Sequence, residues 1–230
     1  MYNPNYCSPL SDGIQGVSCI DKDLLLEIAK SLNNLKTKKK KKDIKLINCS
    51  GTPEEIHRCI GENIKKISSC SSEPCWSTIR DLMKELGPKK KKFSNMFRPM
   101  MPQKWLKDYN TWLNTNDIDK VMGQYDKAHP DFFYGGALPI DFQLKEKNKC
   151  VVSDLCNFNL QDHINNKINN IGIVFNTDPH DKDGQHWISL FINLSGKTLQ
   201  DKPGIFYFDS YGHKPPSQVK DFIDSTIEQG

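Results

Sequence analysis

The sequence predicts an α+β fold in which a helical, basic arm precedes a domain built around a β-sheet. Three runs rich in β-branched and aromatic residues, bounded by turn residues, predict strands at 172–176, 186–194 and 204–209. Basic residues outnumber acidic ones by 21 to 12 as far as Asn110, whereas acidic residues outnumber basic ones by 16 to 11 after it. We therefore expect a helical arm at residues 1–104 and the first part of a sheet domain at residues 105–230.

The chain has 230 residues, of which 37% are hydrophobic and 26% charged, so it is long enough to bury a core. No apolar run approaches the roughly 18 residues that a transmembrane helix needs. The start of the chain, Met1 to Pro4, lacks the basic and then apolar pattern of a signal peptide. We expect neither a secreted nor an integral membrane protein, and no membrane partner.

Eight cysteines are spread over the chain: Cys7, Cys19, Cys49, Cys59, Cys70, Cys75, Cys150 and Cys156. Without a signal peptide, they are predicted to be mostly reduced thiols. The gaps within the last two neighbouring pairs are wider than a Cys-x2-Cys step, and no paired histidines follow, so a structural zinc ion is not predicted.

Helical signals fill the arm. Apolar spacing predicts helices over residues 21–33 and 74–86, the second ending at Gly87 and Pro88. Between these two helices, Thr52 followed by Pro53 and Glu55 predicts a capping box at the start of a further helix. The stretch 89–102 is predicted to be a linker or docking strap.

Two lysine runs, Lys38 to Lys42 and Lys89 to Lys92, stand out in the arm. Clustered ammonium groups can neutralise nucleic-acid phosphates without reading sequence. However, neither run is interleaved with the aromatic residues of a base-stacking surface, and this favours solvated loops. Both interpretations remain open.

The second half carries further local signals. Asn116 is predicted to cap a core-type helix, and a helix is predicted to open near Pro215 at the end of the chain. Gly135 and Gly136 are predicted to form a flexible turn. The stretch from Asp178 to Gln185 is predicted to be a tight turn rather than a calcium loop, because a third spaced ligand and a closing glutamate are missing.

One candidate constellation emerges from the predicted strands. His186 begins the second strand and Asp209 ends the third, so an antiparallel hairpin would bring them side by side. Pairing His186 with Asp209 also places Ile188 opposite Tyr207 and Leu190 opposite Ile205. An imidazole held by a carboxylate can serve as a general base, although such a pair at a sheet edge is more often a structural hydrogen bond.

Three sequence blocks around this pair carry a resemblance. They are His186-Trp187, Tyr207-Phe208-Asp209-Ser210-Tyr211-Gly212, and Trp112-Leu113-Asn114-Thr115-Asn116-Asp117-Ile118. In order and spacing they resemble blocks of the SUMO-protease and adenovirus-proteinase group of cysteine proteases. The resemblance is closest to the polyprotein proteases of large DNA viruses, such as African swine fever virus and giant viruses, and it covers about residues 105–230.

The resemblance implies a papain-like core, a mixed sheet flanked by helices, in which His186 is the general base and Asp209 orients it. Trp112 and Trp187 would be the aromatic walls of a narrow substrate channel. Flat indoles on both sides admit a Gly-Gly backbone and exclude larger residues. The alternative interpretation of both tryptophans is ordinary core packing.

The family pattern also requires an oxyanion glutamine and a nucleophilic cysteine after the aspartate, and neither is present. Every cysteine precedes His186. We therefore expect this chain to be part of a longer protease or a truncated gene product, inactive by itself because acyl transfer needs the thiolate as well as the base.

The resemblance further implies a thiol endopeptidase that cuts viral structural polyproteins after small residues, in the virion and in the viral factory of the host cytoplasm, without a cofactor. Two other functions stay open. One is a nucleic-acid-binding or virion-core packaging protein that uses Lys38 to Lys42 and Lys89 to Lys92. The other is a SUMO- or ubiquitin-like deconjugase.

Overall fold

The computed structural model describes residues 6–38, 47–150, 152–196 and 202–230. The chain forms two compact units, Met1–Thr111 and Trp112–Gly230. The boundary expected from the sequence falls slightly earlier, between residues 104 and 105. None of the helices in the described ranges is long and apolar enough to span a membrane.

Helices build the described part of the first unit. They are α1 (Lys22–Lys38), α2 (Pro53–Lys65), α3 (Glu73–Trp76), α4 (Arg80–Leu86) and α5 (Lys90–Asn95). The predicted capping box of α2 is confirmed, because Thr52 accepts from the Glu55 backbone N–H while the Glu55 side chain accepts from that of Thr52. Apolar side chains of these helices share one core, which includes Leu25, Ile28, Ile56, Ile60, Ile64, Leu82 and Phe93.

Two predictions for this unit are wrong. Residues 74–86 form two short helices rather than one, because the Ser77 and Thr78 hydroxyls donate to the carbonyls of Pro74 and Cys75 and compete with helix continuation. The predicted linker at 89–102 instead contains α5. It folds because Phe93, Met96 and Phe97 are buried in the core of this unit.

A buried carboxylate ties the beginning of the first unit to its helices. Glu73 accepts hydrogen bonds from the Ser18 hydroxyl and, at 3.0 Å, from the Cys19 backbone N–H. Nε2 of His57 lies 2.8 Å from the same side chain. The arm is therefore a packed unit with its own internal polar contacts.

The second unit is built on a four-stranded mixed sheet. Its elements are α6 (Thr115–Ala128), β1 (Phe132–Leu138), β2 (Lys145–Glu146), β3 (Lys149–Cys150), α7 (Ser153–Cys156), α8 (Leu160–Asn165), β4 (Asn170–Asn176), β5 (Trp187–Asn193), β6 (Gly204–Phe208) and α9 (Ser217–Glu228). The strand order is β1-β4-β5-β6, with β1 parallel to β4 and the other neighbours antiparallel. The three predicted strands are therefore confirmed as members of one sheet.

The core of the second unit lies on one face of this sheet, where α8 and α9 contribute Leu160, Val219 and Phe222. The predicted C-terminal helix is thus confirmed as α9. Alternation along β5 places Ile188, Leu190 and Ile192 in this core.

The predicted turn at Gly135 and Gly136 is wrong, because both residues belong to strand β1. A Cβ at Gly135 would lie 3.0 Å from the Ile173 side chain and 3.3 Å from that of Leu155, so glycine lets the strand approach the core. The backbone of Gly136 has a φ of 102°, and the register of β1 against β4 shifts at this point.

Helix α6 also differs from its prediction. Asn114, not Asn116, is the N-cap, and Asn114 and Asp117 form a reciprocal capping box. No residue of α6 is fully buried, so it is not a core-type helix. Its contact with the sheet edge is polar, since Asp119 accepts hydrogen bonds from the Tyr134 hydroxyl at 2.8 Å and from the Ala137 N–H at 3.1 Å.

The prediction of reduced thiols is contradicted by the structure, in which all eight cysteines are paired. The disulfides are Cys7–Cys19, Cys49–Cys59, Cys70–Cys75 and Cys150–Cys156. Each joins cysteines that are 5 to 12 residues apart. Cysteines this close in sequence are brought together by the local fold, whereas the prediction was based on the absence of a signal peptide and on the length of the chain.

Candidate active site

The two residues of the predicted pair meet at one edge of the sheet. His186 immediately precedes β5, and Asp209 immediately follows β6. Nε2 of His186 lies 2.6 Å from Oδ1 of Asp209, and the Asp209 side chain is only 3% exposed. The backbone N–H of Tyr211 donates to the same oxygen at 2.8 Å. The carboxylate is therefore held from two sides.

The predicted register of the hairpin is wrong by two residues. Leu190 lies opposite Tyr207 rather than Ile205, and Ile192 lies opposite Ile205. A shift of two keeps every side chain on its face, and both registers pair apolar with apolar, so the hydrophobic pattern does not distinguish them. As a result, Asp209 reaches His186 diagonally across the strands. The Tyr211 ring stacks on the imidazole with ring centroids 4.4 Å apart.

This arrangement defines the chemical states of the pair. The hydrogen bond from His186 and the one from the Tyr211 backbone lower the pKa of Asp209, so it remains a carboxylate at neutral pH. A carboxylate can only accept, so Nε2 of His186 carries the proton of the short contact. In the neutral imidazole, Nδ1 is then the nitrogen that can act as a base.

A groove of about 650 Å³ lies in the second unit, and its lining includes Trp187, which directly follows His186 in the chain. Its lining comes from the start of α6, the end of β1, the loop between β4 and β5, and the beginning of β5: Trp112, Leu113, Asn114, Thr115, Ala137, Leu138, Pro139, Val152, Asn176, Asp178, Pro179, His180, Lys182, Asp183, Gly184 and Trp187. Both tryptophans named from the sequence therefore face the same groove.

The two tryptophans are held differently. Trp187 donates its indole N–H to the Leu113 carbonyl at 3.0 Å, which links the beginning of β5 to the segment before α6. Trp112 is 61% exposed although its side chain is large and apolar. Trp112 is therefore not a core residue, and the alternative interpretation of this side chain as ordinary core packing is wrong.

Sequence analysis missed a second histidine–carboxylate pair at this groove. Nδ1 of His180 lies 2.6 Å from Oδ2 of Asp141, and the His180 backbone N–H donates to Oδ1 of Asp141 at 2.9 Å. The partners are 39 residues apart in sequence, and neither belongs to a strand. Their pairing follows from the parallel β1–β4 contact, which was not predicted.

The structure does not test whether the two lysine runs together form a basic surface. Of the first run, the structure describes only Lys38, at the end of α1, and the remainder lies outside the described ranges. In the second run, Lys89 pairs with Glu27 at 2.8 Å, and Lys92 contacts Asp21 at 2.6 Å and Asp12 at 3.1 Å. Nucleic-acid binding stays a prediction.

Comparison with known proteins finds relatives in two viruses. A protein of Acanthamoeba polyphaga mimivirus named as a thiol protease is 27% identical over 230 residues, which cover 96% of this chain and 70% of that protein. A SUMO-1 cysteine protease of African swine fever virus is 27% identical over 178 residues, which cover 72% of this chain and 62% of that protein. The chain is a relative of viral cysteine proteases. No family model matches the sequence.

Solved structures support the same relationship at the level of the fold. The crystal structure of the African swine fever virus protease matches all of this chain and 74% of its own, with a TM-score of 0.56 and 18% identity. The predicted cysteine-protease core, a mixed sheet flanked by helices, is thereby confirmed as the fold. The chain spans only 62% of the length of the African swine fever virus relative found by sequence.

A cysteine protease also needs a thiolate, and the described residues offer none. Cys150 and Cys156 are the cysteines of the second unit, and they are bonded to each other. No group of three or more ligand-type side chains that could hold a metal ion occurs in the described ranges. Within the described residues, the second unit therefore holds a histidine bonded to a buried carboxylate and no free thiol.

Proposed function

We propose that the chain is the base-bearing part of a viral cysteine endopeptidase that cleaves structural polyproteins after Gly-Gly-type small-residue sites. The observation that carries this proposal is the 2.6 Å contact of Asp209 with His186, the residue directly before Trp187, which lines a groove together with Trp112. His186 would take the proton of the attacking thiol on Nδ1, while Asp209 orients the ring and stabilises the imidazolium.

The groove suits a substrate without side chains. Trp112 and Trp187 both line it, and indole faces leave little room for a Cβ. The large exposed fraction of Trp112 costs free energy in the unbound protein, and a bound peptide would cover it. Specificity for Gly-Gly would thus arise from exclusion of larger residues.

We propose that the nucleophilic cysteine and the oxyanion donors come from residues outside these 230. All eight cysteines precede His186 in the sequence, and all are paired in the structure. The thiolate would attack the carbonyl carbon of the scissile bond, and His186 would then protonate the leaving amine. We propose that the reaction takes place in the virion and in the viral factory of the host cytoplasm, where a viral structural polyprotein would be cleaved.

The test is to sequence the gene or transcript past codon 230 and to compare the protein it encodes with the 230-residue chain. We expect the longer protein to cleave a short Gly-Gly peptide and to lose this activity on thiol alkylation, while the 230-residue chain cleaves nothing. Turnover by the 230-residue chain would contradict the external nucleophile. Turnover only when Gly-Gly ends a folded modifier would indicate a deconjugase instead.

Replacing Trp112 by Ala is expected to weaken binding of a Gly-Gly peptide to the 230-residue chain by about tenfold or more, because an aromatic wall of the groove is lost. The thermal midpoint should stay nearly unchanged, since Trp112 is largely exposed. Calorimetry of peptide binding and a melting curve check both expectations.

The matched control is Phe208→Ala, because Phe208 is a similarly exposed aromatic residue, at 66%, that does not line the groove. We expect it to leave peptide affinity unchanged. Equal affinities for the native chain and Trp112→Ala would show that the indole is not a wall of the peptide site.

A further inference from the structure

The loop between β4 and β5 is fixed at its base and at its middle. At the base, the Asn176 side chain accepts from the backbone N–H groups of Asp178 at 2.9 Å and Gln185 at 3.3 Å. In the middle, Asp141 accepts from both the backbone and the ring of His180. The backbone N–H of Ile140 also donates to the Asp178 carbonyl at 3.1 Å. This loop forms one wall of the groove and leads directly to His186.

The contact with Asp141 leaves one nitrogen of the His180 ring unused. Nδ1 is committed to Asp141, while Nε2 makes no hydrogen bond within the described ranges. The residue lines the groove, and its side chain is 37% exposed. The bond at Nδ1 fixes the orientation of the ring, and Nε2 remains available to a ligand in the groove.

We propose that Nε2–H of His180 donates a hydrogen bond to a backbone carbonyl of the glycine-rich peptide bound in the groove. This inference rests on the proposed function. A Gly-Gly segment offers only backbone groups for polar recognition, so the groove needs donors for its carbonyls. The indole N–H of Trp187 already donates to Leu113 and does not supply one.

Protonation decides whether this bond forms. The Asp141 carboxylate accepts from Nδ1 in both states of the ring, so Nε2 bears a hydrogen only in the imidazolium. The hydrogen bond to Asp141, and then the charges of Asp141, Asp181 and Glu146, raise the pKa of His180. The donor is therefore present below this raised pKa and is lost as the pH rises through it. A neutral ring would direct a lone pair at the peptide carbonyl.

The other charged groups near the ring are accounted for. Asp178, Lys182 and Asp183 lie on the same loop and line the groove. His186 lies at the end of the same loop, so the test must separate the contribution of this second histidine from that of His180.

The test measures the Kd of a synthetic Gly-Gly peptide for the 230-residue chain between about pH 6 and pH 9, from the heat of binding in a calorimeter. In the native chain, affinity should fall about tenfold across this range. His180→Gln supplies an amide donor near the position of Nε2 and should bind with little dependence on pH. Because His186 is unchanged in this variant, its contribution is measured separately.

Two further variants sharpen the test. His180→Asn keeps a donor for Asp141 but has nothing at the position of Nε2, so it should bind about tenfold more weakly at low pH. Asp141→Asn removes the charge that raises the pKa, so its affinity should fall at a lower pH than in the native chain.

Two outcomes overturn the inference, and they are distinguishable. If the peptide binds with the same Kd to the native chain, His180→Gln and His180→Asn at every pH, His180 makes no bond to it, while the proposed function stands. If the peptide fails to bind the native chain at pH 6, the groove is not the substrate channel, and both proposals are wrong.

Discussion

Replacing His186 by Ala is expected to lower kcat by about four orders of magnitude or more in the protease that contains the nucleophile. His186 lies 2.6 Å from the buried Asp209, closer than the exposed His213 at 3.4 Å, and without His186 the thiol would lose its base. KM should change far less, because the groove walls remain. Steady-state kinetics on a Gly-Gly peptide measure both constants.

The matched control is His129→Ala. His129 is exposed and stacks on Tyr125 of α6, and it does not line the groove. We expect kcat to stay within about twofold of the native value. A His186→Ala protease that retained a tenth of native kcat would show that the pair with Asp209 is only a structural hydrogen bond.

Two substitutions at Asp209 separate orientation from charge. Oδ1 of Asp209 accepts both from His186 and from the Tyr211 backbone, and an asparagine oxygen can accept the same two bonds. Asp209→Asn should therefore reduce kcat through the lost charge alone and by less than Asp209→Ala, which should reduce it at least about a hundredfold because the bond that orients the ring is lost as well. Equal losses would show that the charge, and not the orientation of the ring, is what Asp209 supplies.

The pair of His186 and Asp209 was predictable from the sequence because side chains alternate between the two faces of a strand. His186 and Asp209 lie at the start and the end of two neighbouring apolar strands, and the observed shift of two residues from the predicted register leaves them on the same face and close together. The register itself was not predictable, because Leu190 packs equally well against Ile205 or Tyr207. The stacking of Tyr211 on His186 depends on the actual register, so it was not predicted either.

Other features depended on contacts between distant segments. The strand at Gly135 was taken for a turn because two glycines are typical of turns, while its burial against Ile173 follows only from the parallel pairing with β4. The pair of His180 with Asp141 depends on the same pairing. The sequence signal that remained was a proline–histidine step in a short loop before His186, and it suggested only a turn.

The disulfides were missed for a different reason. The prediction gave priority to the compartment, and local geometry was not considered. Short spacings such as that of Cys70 and Cys75 also occur in metal sites, so the sequence alone did not distinguish bridges from thiols. In the folded chain, the short segments between the paired cysteines reverse direction and bring the two sulfur atoms of each pair together.

Mass spectrometry of the 230-residue chain, alkylated after denaturation without reduction, is expected to show no labelled cysteine, and eight labels after reduction. Reduction should also destabilise the first unit, which holds Cys7–Cys19, Cys49–Cys59 and Cys70–Cys75. Closing loops of this size contributes about 2–3 kcal/mol per bridge, so losing three is comparable with the whole free energy of unfolding of a domain. Denaturant titration with and without reductant measures the change.

The matched control is the double variant Cys150→Ser, Cys156→Ser, which removes the bridge of the second unit and should leave the unfolding of the first unit unchanged. Eight labels without reduction, on a chain that was folded beforehand, would contradict the pairing. That result would also bear on the active site, because Cys150 and Cys156 would then be free thiols in the unit that contains His186. The need for an external nucleophile therefore depends on the oxidation state of these two cysteines, and alkylation decides it.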